Sequence, residues 1–213
     1  MKSDFYIEGA IFDLDGVIVD TAKYHYLAWK ETAKKLGFDF RESDNERLKG
    51  VSRMASLEIL LEVGNITGLT LKEKQQIAQQ KNDRYVQMLS GLKTSELLPG
   101  AKAYLEKCRA QNIKIALGSA SKNAPYILEK LKIRDLFDVV VDGNSVQKAK
   151  PDPEVFLRAA NGLELLPSLC CVYEDSQAGI DAALSAGFHT VAVDKGDILI
   201  GAERKVRSLA ELL

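Results

Sequence analysis

Four short clusters of polar residues, far apart in the chain, each follow an apolar run. Phe12 leads into Asp13-Leu14-Asp15-Gly16, and Gly118 into Ser119-Ala120-Ser121-Lys122-Asn123. Val141 is followed by Lys148 and Lys150-Pro151, and Tyr173 by Glu174-Asp175-Ser176. In an extended chain the spacing of Asp13 and Asp15 puts both carboxylates on one side, while Gly16 permits a sharp exit. With Glu174 and Asp175 they make a cluster of four acids. Like charges in that number need a cation among them, and ligands that are all oxygen favour Mg²⁺ over zinc or copper. An isolated Asp-x-Asp is as readily a helix cap or half of a salt bridge. Ser119, Lys150 and Glu174-Asp175 at three further run ends argue for chemistry instead.

Such residues can meet only if the runs are neighbouring strands. Gly9 to Phe12, Ile113 to Leu117, Phe137 to Val141, Leu169 to Tyr173 and Thr190 to Val193 read as five strands. Amphipathic stretches at Ala101 to Gln111, Ala124 to Leu131, Pro153 to Leu163 and Gln177 to Ala186 read as crossover helices, and Ser208 to Leu213 as a last short helix. That alternation predicts an α/β, Rossmann-like parallel sheet, whose ligands bind beyond the carboxyl ends of the strands. One interval breaks the rhythm. Thr21 to about Ser90 shows only helical periodicity, in pieces at Thr21 to Leu36, Glu42 to Leu48, Arg53 to Val63 and Lys72 to Leu89. The expected organisation is a core of residues 1–19 and 93–213, with 20–92 as a helical insertion.

The four clusters resemble, in order and across the whole chain, the four motifs of the haloacid dehalogenase superfamily of phosphotransferases, and the insertion resembles its helical cap. The resemblance implies that Asp13 is a nucleophile forming an aspartyl phosphate and that Asp15 is the general acid/base. It further implies that Ser119 and Lys150 hold the transferring phosphoryl group, and that Asp13, the main-chain carbonyl of Asp15, Glu174 and Asp175 bind Mg²⁺. An acid two residues after the nucleophile suits phosphotransfer, which must protonate a leaving sugar oxygen, and not dehalogenation.

A mutase differs from a phosphatase in needing two phosphate sites. Lys49-Gly50-Val51-Ser52-Arg53 places a glycine and a serine before a predicted helix, suited to an anion with Arg53 as bidentate partner, or else to a solvated turn with a serine cap. On the core side Ser121-Lys122-Asn123 opens the helix containing Pro125. Thr21, His25 and Trp29 fall at i+4 spacing on one stripe of the first cap helix. Taken singly, a histidine or tryptophan there is more often packing than ligand. Together with Lys81-Asn82-Asp83 and Ser119 to Asn123, including Ala120, these residues resemble the β-phosphoglucomutase family. The resemblance implies interconversion of β-D-glucose 1-phosphate and D-glucose 6-phosphate, with glucose 1,6-bisphosphate as activator and intermediate. It also implies that Thr21, His25, Lys49 and Lys81 serve the substrate side. A sugar-phosphate phosphatase of the same superfamily is the alternative. A signalling receiver module, which also sets an Asp, a Ser/Thr and a Lys around Mg²⁺, needs neither the insertion nor Asp15.

The 213 residues carry 29 Lys+Arg and 30 Asp+Glu, a net charge of −1, so no global field draws the chain to nucleic acid or an anionic membrane. With 46% hydrophobic residues the core can be substantial. Cys108, Cys170 and Cys171 are odd in number and two are adjacent, which argues against a disulfide framework and for a reducing cytoplasm. No signal-like start and no membrane-length apolar run is evident. A cytoplasmic monomer acting on a sugar phosphate is expected. His189 reads as structural, Lys195, Arg204, Lys205 and Arg207 as a solvated edge, and Tyr173 as packing beneath the acids.

Overall fold

The structure, a computed structural model, describes residues 6–48 and 51–213. The chain divides into two compact units, Met1–Asp20 with Lys93–Leu213 and Thr21–Leu92.

The first unit is a parallel sheet of six strands: β1 Gly9–Phe12, β2 Lys114–Gly118, β3 Val139–Val141, β4 Cys170–Glu174, β5 His189–Val193 and β6 Arg204–Val206, ordered β3-β2-β1-β4-β5-β6. The first five match the expected runs with ends shifted by a residue or two. β6 corrects the expectation of a bare solvated edge: Val191, Ala192 and Val193 of β5 pair with Arg204, Lys205 and Val206. Three residues, two of them cationic, carry too little alternation to read as a strand, yet charge is how a sheet edge is kept from pairing further. The helical tail is also corrected, to a 3-10 turn over Leu209–Leu212.

Successive residues of a strand face opposite sides. Ile11, Ala116 and Val172 share a buried cluster with Val155, Phe156, Ala159 and Ala160 of helix Glu154–Gly162. On the other face Phe12 and Tyr173 meet Tyr104 of helix Ala101–Ala110. Both faces are therefore dry, and functional groups are left to the strand ends. β1 is the switch point, with β2 on one side and β4 on the other, so the loops after these strands open on one crevice.

The second unit is helical, with α-helices Ala22–Lys35, Glu42–Asn45, Arg53–Val63 and Leu71–Leu89. Thr70 and Glu73 form a reciprocal capping box that starts the last of these. Trp29, Ala33, Phe40, Leu57, Leu60, Leu61 and Ala78 make its own core. Among the described residues no helix is long and apolar enough to cross a membrane.

Candidate active site

Asp13 follows β1 directly, its N–H donating to the Tyr173 carbonyl at 2.9 Å, so that the first motif is pinned to the strand bearing the fourth. Lys150 enters from the loop before the helix Glu154–Gly162, next to a cis peptide to Pro151. Its Nζ donates to Asp13 Oδ1 at 2.5 Å and to Glu174 Oε2 at 2.8 Å, with all three side chains buried. Glu174 Oε1 accepts from the hydroxyl of Ser176 at 2.6 Å and from its N–H at 3.1 Å. Ser176 is also the N-cap of the helix Gln177–Ser185, so one serine sets both the helix start and the glutamate.

Ligand oxygens of Asp13, Glu174 and Asp175 lie within 4.8 Å of one another. The expected group of four acids is thereby corrected to three. The chain turns after β1 instead of staying extended, and the Asp15 carboxylate is not in the group, though its charge still acts on Asp13 and Asp175. Burial, then repulsion from Glu174 and Asp15 opposed by Lys150, raises the Asp13 pKa to about 7. Burial and the charges of Glu174, Asp13 and Asp15 raise Asp175 to about 9. Burial works against the Lys150 ammonium, but Asp13 and Glu174 outweigh it and hold its pKa above the ordinary lysine value. Three crowded, desolvated carboxylates with only oxygen to offer fit a small hard cation such as Mg²⁺. Gly16, at φ +79°, is required twice over: the left-handed turn suits glycine, and a Cβ there would run into the Asp175 carboxylate.

Ser119, buried at the end of β2, accepts from the Ser121 N–H at 3.1 Å, and Ser121 accepts from the Asn123 N–H at 3.3 Å. These nested turns curl residues 119–123 before the helix Ala124–Lys130, with Lys122 exposed.

In the helical unit the Thr21, His25 and Trp29 stripe faces the helix Leu71–Leu89. Tyr85 donates its hydroxyl to Thr21 Oγ1 at 3.0 Å, and its ring lies 4.0 Å from that of His25. The buried Lys81 ammonium sits 2.8 Å from His25 Nδ1 and 4.5 Å over the Trp29 ring. Burial, then Lys81 and Arg53, push the His25 pKa well below its usual value, so the ring is neutral and accepts from Lys81. Trp29, which shares this stripe, belongs to the unit's apolar core at 2% exposure. Ser52 caps the helix Arg53–Val63, accepting from the Ala55 N–H, and Val51 is exposed. Arg53 donates to Asn82 Oδ1 at 2.7 Å. Lys49 and Gly50 lie outside the described residues. Sequence reasoning passed over Tyr85, which the i+4 step from Lys81 could have flagged, and Ser176 as the holder of Glu174.

A parallel sheet whose switch-point crevice sets an aspartate, a lysine and further acids together, with a helical unit inserted after the first strand, defines an enzyme of phosphoryl chemistry. The sequence profile of the haloacid dehalogenase-like hydrolases matches residues 7–187, and the chain belongs to that family. Over 207 residues it is 45% identical to β-phosphoglucomutase of Bacillus subtilis, spanning 97% of this chain and 92% of that protein. The crystal structure of β-phosphoglucomutase from Clostridium difficile is similar with a TM-score of 0.93 and 44% identity, covering 97% of this chain and 93% of that one. A phosphorylated carbohydrates phosphatase of Thermotoga maritima is 32% identical over 187 residues, 87% of this chain and 84% of that protein.

Proposed function

We propose that this protein acts as a β-phosphoglucomutase, an isomerase interconverting β-D-glucose 1-phosphate and D-glucose 6-phosphate through glucose 1,6-bisphosphate. The observation that carries the reading is the buried Asp13–Lys150–Glu174 group, in a chain similar along its whole length, helical unit included, to the Bacillus mutase.

Asp13 is the nucleophile. Its carboxylate oxygen forms the new P–O bond as the sugar P–O bond breaks, and the leaving alkoxide takes a proton from Asp15. In the reverse sense Asp15 accepts the proton of the attacking sugar hydroxyl. Lys150 favours the ionised, nucleophilic form of a carboxylate that burial pushes the other way. Ser119 and Lys150 hold the transferring phosphoryl oxygens, where fixed donors lower the cost of developing charge. Asp13, Glu174, Asp175 and the main-chain carbonyl of Asp15 would hold Mg²⁺, which supplies neutralisation of phosphoryl charge. Ala120 to Asn123 are the residues we assign to the second phosphate, and we assign Lys49, Gly50, Val51, Ser52 and Arg53 to substrate binding. Thr21, His25 and Lys81 serve as positioning residues. We further infer a monomer in the cytosol; the reducing compartment is supported by three free, buried cysteines, with burial raising the thiols of Cys108 and Cys170 to about 11.

The test supplies the protein with Mg²⁺, β-glucose 1-phosphate and a trace of glucose 1,6-bisphosphate, and follows glucose 6-phosphate and inorganic phosphate together, with the α anomer in parallel. Glucose 6-phosphate formed from the β anomer without phosphate release is expected. Stoichiometric phosphate release would replace the mutase with a sugar-phosphate phosphatase, the second reading that the Thermotoga relative favours.

A further inference from the structure

The turn Asp142–Ser145, which follows β3, is built against the loop after β2. Ser119 donates its N–H to the Val141 carbonyl at 3.0 Å, and Gly143 donates its N–H to the Ser121 carbonyl at 3.3 Å. Asn144 Nδ2 then reaches the Lys122 carbonyl at 3.0 Å. Three consecutive contacts thus run along residues 119–122 from one short segment.

The segment is itself rigidly held. Asp142 is buried, and its Oδ1 accepts from the N–H of Asn144 at 3.0 Å and from the N–H and hydroxyl of Ser145 at 3.2 and 2.9 Å. Its Oδ2 accepts from Asn144 Nδ2 at 2.8 Å, which fixes the amide so that its other hydrogen points at Lys122. At Gly143 the two backbones approach so closely that a Cβ would collide with the Ala120 carbonyl oxygen and press on the Lys122 side chain. A loop shaped by its own nested serine turns could slide as a body. Pinned from 141 to 144 by backbone contacts and one oriented amide, it cannot.

We infer that Asp142–Ser145 is the mould of the 119–123 loop, and that Gly143 and Asn144 are positioning residues which set the affinity for the phosphate on the sugar side of the site. The inference rests on the reading that Ser121 to Asn123 meet that phosphate. Asn144 acts only through the Lys122 main chain, so its loss should be felt by a ligand reaching Lys122 and not by one confined to Asp13, Ser119 and Lys150.

The experiment compares Asn144→Ala and Gly143→Ala with the unaltered chain in saturating Mg²⁺. Binding of glucose 6-phosphate and of inorganic phosphate is read by calorimetry, and KM for β-glucose 1-phosphate is set beside KM for acetyl phosphate, a donor with one phosphate. Asn144→Ala should weaken glucose 6-phosphate and raise the sugar-phosphate KM about three- to tenfold, the scale of one hydrogen bond, with inorganic and acetyl phosphate changed less than about twofold. Gly143→Ala should show the same split, larger. Equal changes for both classes of ligand, or no change in either, would overturn the inference. Should the unaltered chain release phosphate instead of isomerising, the same split in KM still tests the mould. An unaltered chain that binds neither ligand would remove both the reading and the inference.

Discussion

Phe12 and Tyr173, the residues immediately before Asp13 and Glu174, stack with ring centroids 4.5 Å apart and planes 12° from parallel. They are register partners across β1 and β4, so the pair ties together the two strand ends from which the acids project. Tyr173 also shares a hydrogen bond of 2.7 Å with the hydroxyl of Tyr104. Burial raises the pKa of both phenols, which keeps the pair neutral. Tyr173→Ala, which opens a cavity beneath the site, should cost about 3–5 kcal/mol, whereas Tyr173→Phe, which only leaves Tyr104 without this partner, should cost about 1–2 kcal/mol. Urea unfolding measures both. Equal losses would mean that the rings do not carry the stability assigned to the stack.

The three acids make Mg²⁺ binding depend on pH in a known direction. Asp13 at about 7 and Asp175 at about 9 stand above their ordinary value of 3.8. A carboxyl raised in the folded state binds its proton more tightly there than in the unfolded chain. Its favourable contribution is full below pH 3.8 and is lost as pH rises through the folded value. A cation that binds only the ionised acids therefore restores more stability at higher pH. In protein stripped of divalent ions, saturating Mg²⁺ should raise Tm by about 5 °C at pH 8.5 and by less than half of that at pH 6. Calorimetric scans at the two pH values decide the matter, and an increment independent of pH would refute it.

Gly16 gives a sharper test of the same site. Alanine there must adopt φ +79°, which costs about 1–2 kcal/mol, and its Cβ would displace the Asp175 carboxylate. Gly16→Ala should thus lower stability modestly while weakening Mg²⁺ by about tenfold or more, read by calorimetric titration. Unchanged Mg²⁺ affinity in a folded variant would separate Asp175 from the metal site.

The strand ends were legible because chemistry-bearing side chains interrupted apolar runs, a signal that survives without knowledge of packing. Ser119, Lys150 and Glu174 could be singled out for that reason, and the structure brings Lys150 to both Asp13 and Glu174. What remained illegible depends on where the chain turns and what it turns against. Asp15 leaves the carboxylate group because the backbone bends at Leu14, which no spacing rule foretells. Trp29 shares a helical stripe with His25, and both rings meet the Lys81 ammonium, yet only packing decides that Trp29 joins the apolar core while His25 hydrogen-bonds that ammonium. Asn144 lies in a turn with ordinary turn composition, and its contact with Lys122 spans 22 positions of sequence.

His25 and Lys81 form a buried pair of unusual kind, a cation held by a neutral ring. Burial comes first among the causes that depress the His25 pKa, with Lys81 and Arg53 adding repulsion. A histidine whose folded pKa lies below its unfolded value of 6.5 contributes stability above that value and loses it as pH falls. Truncating His25 leaves the Lys81 ammonium buried without this acceptor, so His25→Ala should cost about 3 kcal/mol, within the range for breaking a buried polar pair. Adding Lys81→Met removes that buried charge while keeping much of the side-chain volume over Trp29. The double variant should recover at least half of the loss, and a coupling of about 1 kcal/mol or more is expected from the full mutant cycle. Measuring all four proteins of the cycle at one pH, 7.5, and one Mg²⁺ concentration holds the contribution of the catalytic carboxylates constant, so that the cycle reports the helical unit. Strict additivity of the two single changes would show that the ammonium does not depend on the ring.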